Sequence, residues 1–88
     1  MKYVRQVKVK NALGLHTRPA TAIVKLLQDC KSQVSFTYKK DTINAKSIMS
    51  ILILAARKNS KITITAEGSD ADEIIGKLVD AFDTSFGE

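Results

Sequence analysis

Tyr3, Arg5, Val7 and Val9 interleave with Lys2, Gln6, Lys8 and Lys10 at the start of the chain. That period of two predicts a strand with one wet, basic face. Asn11-Ala12-Leu13-Gly14 breaks the pattern. Beyond it Ala20, Ile23, Val24 and Leu27 recur at helical spacing. Pro19 stands near the start of that helix, where a missing N–H costs nothing. Val34, Phe36 and Tyr38 then alternate with Ser35 and Thr37; Lys39-Lys40-Asp41 supplies a turn, and Thr42-Ile43-Asn44 returns as a short partner strand.

Ser47 is suited to cap a second helix running through Ala56. Arg57-Lys58-Asn59-Ser60 is a polar break, after which Ile62, Ile64 and Ala66 alternate with Thr63, Thr65 and Glu67. Gly68 ends that strand, and Ser69 or Asp70 is placed to cap a third helix, with Asp72 or Glu73 as a capping-box partner. Its apolar stripe is Ile74, Ile75, Leu78, Val79 and Phe82. The order is βαββαβα. The predicted fold is α+β, an open-faced β-sandwich: a four-stranded antiparallel sheet with all three helices on one face and the other face wet.

At 88 residues, 44% apolar, the chain holds material for one core, so residues 1–88 are expected to form a single domain. Charged residues are mixed among apolar ones, unlike the composition of disordered chains. No apolar run is long enough to span a bilayer, and Met1-Lys2-Tyr3-Val4-Arg5 lacks the features of a signal peptide, so a soluble cytoplasmic protein without membrane insertion is expected. The lone Cys30 has no internal disulfide partner, and one His with one Cys cannot complete a zinc site, so no metal or cofactor is expected. A formal charge of +5 favours acidic partners without choosing among nucleic acid, membrane and protein.

Two helix starts carry candidate chemistry. At the first, Gly14-Leu15-His16-Thr17-Arg18-Pro19 gathers an imidazole, a guanidinium and free backbone amides around one point, which suits an anion. The partial positive charge disfavours imidazolium and so favours a neutral ring whose nitrogen can attack phosphorus. Backbone amides and Arg18 would then meet the oxygens of the phosphoryl group, with Gly14 and Thr17 shaping the helix start. From the residues alone, the commoner roles are a polar cap for His16 and a solvated charge for Arg18.

The segment Gly14-Leu15-His16-Thr17-Arg18-Pro19-Ala20 resembles the active-site segment of HPr, the histidine phosphocarrier of the bacterial sugar phosphotransferase system. Asn44-Ala45-Lys46-Ser47-Ile48-Met49 resembles the segment around the regulatory serine of that family, at the expected distance along the chain. The likeness covers essentially the whole sequence. It implies a carrier whose His16 takes a phosphoryl group, as pros-phosphohistidine supported by Arg18. The group would come from phosphoenolpyruvate by way of enzyme I and go on to sugar-specific A domains of permeases. It also implies phosphorylation of Ser47 by HPr kinase/phosphorylase, with weakened docking to enzyme I. A purely structural cap at Ser47 is the competing reading, and both can hold together.

Docking surfaces follow from the same two helices. The second is apolar nearly all round, so with Ile51 and Leu54 inward, Ile48, Met49 and Leu52 are expected to form a patch beside His16. Thr21, Lys25 and Gln28 are expected on the exposed side of the first helix. A shuttle using one face with successive partners is most simply a monomer. Ser50, Ala55 and Asn59 depart from the glycine found at these places in many relatives, and the chain is more basic than the family pattern suggests.

Three other readings compete. The carrier could serve a regulatory phosphorelay uncoupled from sugar uptake. The scattered lysines Lys2, Lys8, Lys10, Lys39, Lys40 and Lys61 suggest a nucleic-acid-binding module, but the chain has no tryptophan, no RNP-like aromatic motif and no Gly-x-x-Gly clamp, so no nucleic-acid partner is expected. A hydrolase using Ser47 or Cys30 with His16 lacks a nucleophile elbow.

Overall fold

Period-two segments pair in the computed structural model, which describes residues 1–88, into one antiparallel sheet. Its strands are β1 (Lys2–Lys8), β2 (Gln33–Tyr38), β3 (Asp41–Asn44) and β4 (Lys61–Glu67), in the spatial order β1-β4-β2-β3. The helices are α1 (Thr17–Leu27), α2 (Ile48–Leu54) and α3 (Ala71–Asp83), followed by a 3-10 turn at Ser85–Gly87. The element order is βαββαβα, as the periodicity predicts. β4 is central: Lys2 pairs with Glu67 on one side and Val34 with Ala66 on the other. Val34, Phe36, Ile62, Ile64 and Ala66 all send their side chains into one core with Ile23, Leu27, Ile51, Leu78 and Phe82. The alternate positions Lys2, Val4, Gln6 and Lys8 are exposed, which is the wet, basic face.

Several boundaries differ from the sequence reading. β1 stops at Lys8, yet the fully buried Val9 continues the tie to the α2–β4 loop: its N–H donates to Ser60 O at 2.9 Å, and its carbonyl accepts from Asn59 at 2.7 Å. α2 ends at Leu54, short of Ala56, because Ala55 takes the left-handed conformation (φ 55°, ψ 38°) and turns the chain. Asp70 does occupy the cap of α3, but its side chain makes no cap bond and no capping box forms; the one first-turn amide met by a side chain is that of Glu73, which donates to Asp72 at 2.8 Å. The Asp70 carboxylate instead accepts from Lys31 N–H at 2.9 Å and from the buried Ser32 hydroxyl, tying α3 to the start of β2. These two donors, Ser32 first, hold its carboxyl below the usual aspartate range.

The turn after α3 is held by aromatic contacts. Phe82 is fully buried, meeting Phe36 edge-on at 5.8 Å and Phe86 at 4.8 Å. Burial of a side chain of this size contributes on the order of 2 to 3 kcal/mol. That chain of rings positions Glu88.

Candidate functional site

Gly14 sets the geometry of the first helix start. Its φ is +69°, and a β-carbon there would stand 2.3 Å from Ala56 O, so both the conformation and the space require glycine. The close approach lets Leu15 N–H donate to Ala56 O at 2.9 Å, and Leu15 itself is buried. His16 follows in extended conformation as the N-cap of α1. Its side chain caps nothing, which leaves the ring free for other chemistry. The first helical hydrogen bond is Ala20 N–H to His16 O at 3.0 Å. Pro19 is buried and has no N–H to satisfy, while the amides of Thr17 and Arg18 are among those that every helix leaves unpaired at its start.

The sequence reading placed only positive groups around His16. The fold adds a carboxylate from the far end of the chain. His16 Nε2 lies 3.1 and 3.0 Å from the two carboxylate oxygens of Glu88. Arg18 Nε is 3.8 Å from Glu88, with the guanidinium side chain otherwise exposed. Asn11, 2% exposed, donates through Nδ2 to Ser85 O at 2.8 Å and to the Glu88 carboxylate, while its Oδ1 has no partner. The Asn11 amide holds the Glu88 carboxyl below its ordinary range; burial, the next largest effect, opposes it, and the hydrogen bond with His16 and the charge of Arg18 add to the lowering. A cleft of about 360 Å³ opens here, lined by Lys10, Asn11, Ala12, Leu13, His16, Ser85 and Glu88. With Nε2–H donating to Glu88, the lone pair of the neutral ring resides on Nδ1.

At the second helix start Ser47 is the N-cap of α2, and its Oγ accepts from Ser50 N–H at 3.2 Å. Ile51 and Leu54 point into the core as expected. Met49 is 62% exposed; Ile48 and Leu52 are half-buried. The patch is larger than the sequence reading had it, because Ile53 is 74% exposed. On α1, Lys25 and Gln28 are exposed, but Thr21 is half-buried and its hydroxyl donates to Thr17 O at 2.8 Å. Thr21 therefore offers less to solvent than expected, since its polar group is satisfied within its own helix.

Three residues of this region escaped the sequence reading. Asn11 read only as part of a pattern break, and Glu88 as one acidic residue among nine. Ile53 sits in the all-apolar run Ile51-Leu52-Ile53-Leu54, which hides its direction. No local signal marks Glu88, because its link to His16 spans 72 positions and depends on the turn that Phe86 holds.

A family model described as the PTS HPr component phosphorylation site matches residues 3–84. The chain belongs to the HPr family. It is 50% identical over 80 residues to the phosphocarrier protein HPr of Chlamydia pneumoniae, covering 91% of this chain and 74% of that one. HPr-C-His from Thermoanaerobacter tengcongensis superposes with a TM-score of 0.93 at 36% identity, covering 98% and 97% of the two chains. An HPr dimer from the same organism gives 0.78 at 38% identity, covering 93% and 94%. The chain is thus a phosphocarrier of the phosphotransferase type, with the four-stranded open sheet of HPr structures. No helix is long and apolar enough to cross a membrane.

Proposed function

We propose that His16 accepts the phosphoryl group at Nδ1 and hands it on, in a phosphotransferase chain that begins with phosphoenolpyruvate. The lone pair of Nδ1 forms the new bond to phosphorus as the bond to the donor breaks, and the acceptor's nucleophile later reverses the gain. The observation that carries this reading is the Nε2–H to Glu88 hydrogen bond, which favours the tautomer with its lone pair on the opposite nitrogen. Arg18 and the free amides at the start of α1, including that of Thr17, would meet the phosphoryl oxygens, with Gly14 holding the loop behind them.

Enzyme I as donor, sugar-specific A domains of permeases as acceptors, and a cytoplasmic location follow from the family. Residues 1–88 would act as one phosphocarrier domain. Lys25, Gln28, Ile48, Met49 and Leu52 flank the two helix starts and would form the docking face, with Thr21 at its margin. A single face used by successive partners favours a monomer as the working form. Phosphorylation of Ser47 by HPr kinase/phosphorylase would add charge in the middle of that face.

Incubation with enzyme I and phosphoenolpyruvate, read by mass spectrometry, tests the reading. An acid-labile gain of one phosphoryl mass, absent in His16→Ala, is expected. No gain with an active enzyme I would overturn it.

A further inference from the structure

Away from His16, at the end of the sheet where the β2–β3 turn meets the α2–β4 loop, lies a shallow concavity of about 630 Å³. It is lined by Tyr38, Lys39, Ala55, Arg57, Lys58, Asn59 and Ser60. Three of these residues are cations and none is an acid. Lys39, Arg57 and Lys58 form no ion pair: the chain's ion pairs involve Lys10, His16, Arg18 and Lys77. Asp41, the acid nearest in sequence, pairs with Tyr38 across the hairpin but does not line the hollow.

The cations come from separate stretches of chain, so the fold assembles them. Lys39 Nζ stands 5.2 Å from the centre of the Tyr38 ring. The charges of Lys39 and Arg57 both reach the Tyr38 phenol and, after the larger effect of hydrogen bonding with Ser60, lower its pKa. Convergent like charges repel unless an anion joins them.

The backbone adds a second observation. Lys39 (φ 56°), Ala55 (φ 55°) and Asn59 (φ 74°) all take left-handed conformations around the same hollow. Ala55 and Asn59 occupy places where glycine would hold these angles at less cost. Such strain persists where the surroundings fix it, and it clusters at ligand clamps.

We propose that this concavity binds a small phosphorylated ligand, its phosphate held by Arg57, Lys58 and Lys39 and its body lying against the Tyr38 ring. A guanidinium fork and two flexible ammonium groups match the shape and charge of a phosphate. The hydroxyls of Tyr38 and Ser60 supply further donors at the rim. A small ligand is favoured over an acidic protein surface because the cations line a hollow instead of standing on a ridge. The site lies one loop from His16, since Gly14 packs on the backbone of Ala56 and Arg57.

Amide chemical shifts of the full ¹⁵N-labelled chain, titrated with inorganic phosphate and with ribose 5-phosphate against sodium chloride at matched ionic strength, test the proposal. Saturable shifts at Lys39 and Arg57 through Ser60 are expected. In the Arg57→Gln/Lys58→Gln variant the apparent Kd should rise by at least about fivefold, while shifts of residues 14–18 stay as in the parent. Tighter binding of ribose 5-phosphate than of inorganic phosphate would assign a role to the Tyr38 ring; equal binding would assign the phosphate alone. Shifts matched by chloride, shifts confined to residues 14–18, or saturation only with poly-glutamate would each overturn the proposal.

Discussion

Glu88 places a carboxylate oxygen 3.0 Å from His16 Nε2, and Asn11 holds that carboxylate from behind. On the proposed role of His16, a phosphoryl group arriving at Nδ1 would bring negative charge to the ring that this carboxylate contacts through Nε2, so the contact that orients the ring would also oppose the group. Glu88→Gln keeps an acceptor for the Nε2 proton and removes the charge. The expected outcome is a rise of about two- to fivefold in the phosphorylated fraction at equilibrium with enzyme I, the range for a partly exposed, screened charge pair. An unchanged or smaller fraction would show that the carboxylate is not opposing transfer.

Glu88 also predicts a pH effect of definite sign. Its pKa is depressed below the ordinary 4.5, chiefly by the Asn11 amide. A depressed carboxyl contributes stability above its ordinary pKa and loses it as pH falls through the lowered value. In Asn11→Ala the Glu88 carboxyl, followed by NMR, should titrate at higher pH than in the parent. Asp70 behaves alike for another reason: its pKa lies below 3.8 because Ser32 and the Lys31 amide donate to it. Ser32→Ala should raise the Asp70 pKa and shift acid unfolding to higher pH.

Gly14→Ala asks a left-handed position to carry a β-carbon that meets Ala56 O at 2.3 Å. A loss on the order of 2 to 3 kcal/mol is expected, seen as a lower urea midpoint with an unchanged slope. Phosphoryl acceptance should fall too, since the Leu15 to Ala56 hydrogen bond that seats His16 depends on that approach.

Ser47 separates a cap from a switch. Ser47→Ala removes the acceptor for Ser50 N–H and should cost about 1 kcal/mol, measured as a lower Tm. Ser47→Asp keeps a capping oxygen, so its Tm should stay near that of the parent while acceptance from enzyme I falls. Full acceptance in the Asp variant would remove the regulatory reading.

Legibility in the sequence followed the range of the interaction. Ile23, Leu27, Leu78 and Phe82 announced their helices because burial repeats along one stretch of chain, and Ser47 announced its cap because donor and acceptor are three positions apart. His16 and Arg18 stand out in the sequence because one short segment, Gly14 to Ala20, carries both and resembles the family's active-site segment. Asp70 misled, since a carboxylate at a cap position is drawn off by Ser32, which only the sheet brings near. Ile53 misled because an all-apolar helix does not declare which side meets the core. Glu88 and Asn11 had no local sign, as their partners lie across the whole fold.

The sheet order bears on how the protein is born. β4 is the middle strand and β1 finds no other partner, yet β4 is the last strand to leave the ribosome. A nascent chain that already displays the His16 segment cannot close its sheet, cannot seat the Ala56 loop behind Gly14, and has not begun the turn that brings Glu88. Contacts this far apart in sequence form late and slowly. A nascent chain that stops short of β4 and the Phe86 turn therefore holds the His16 segment without the surroundings that shape it.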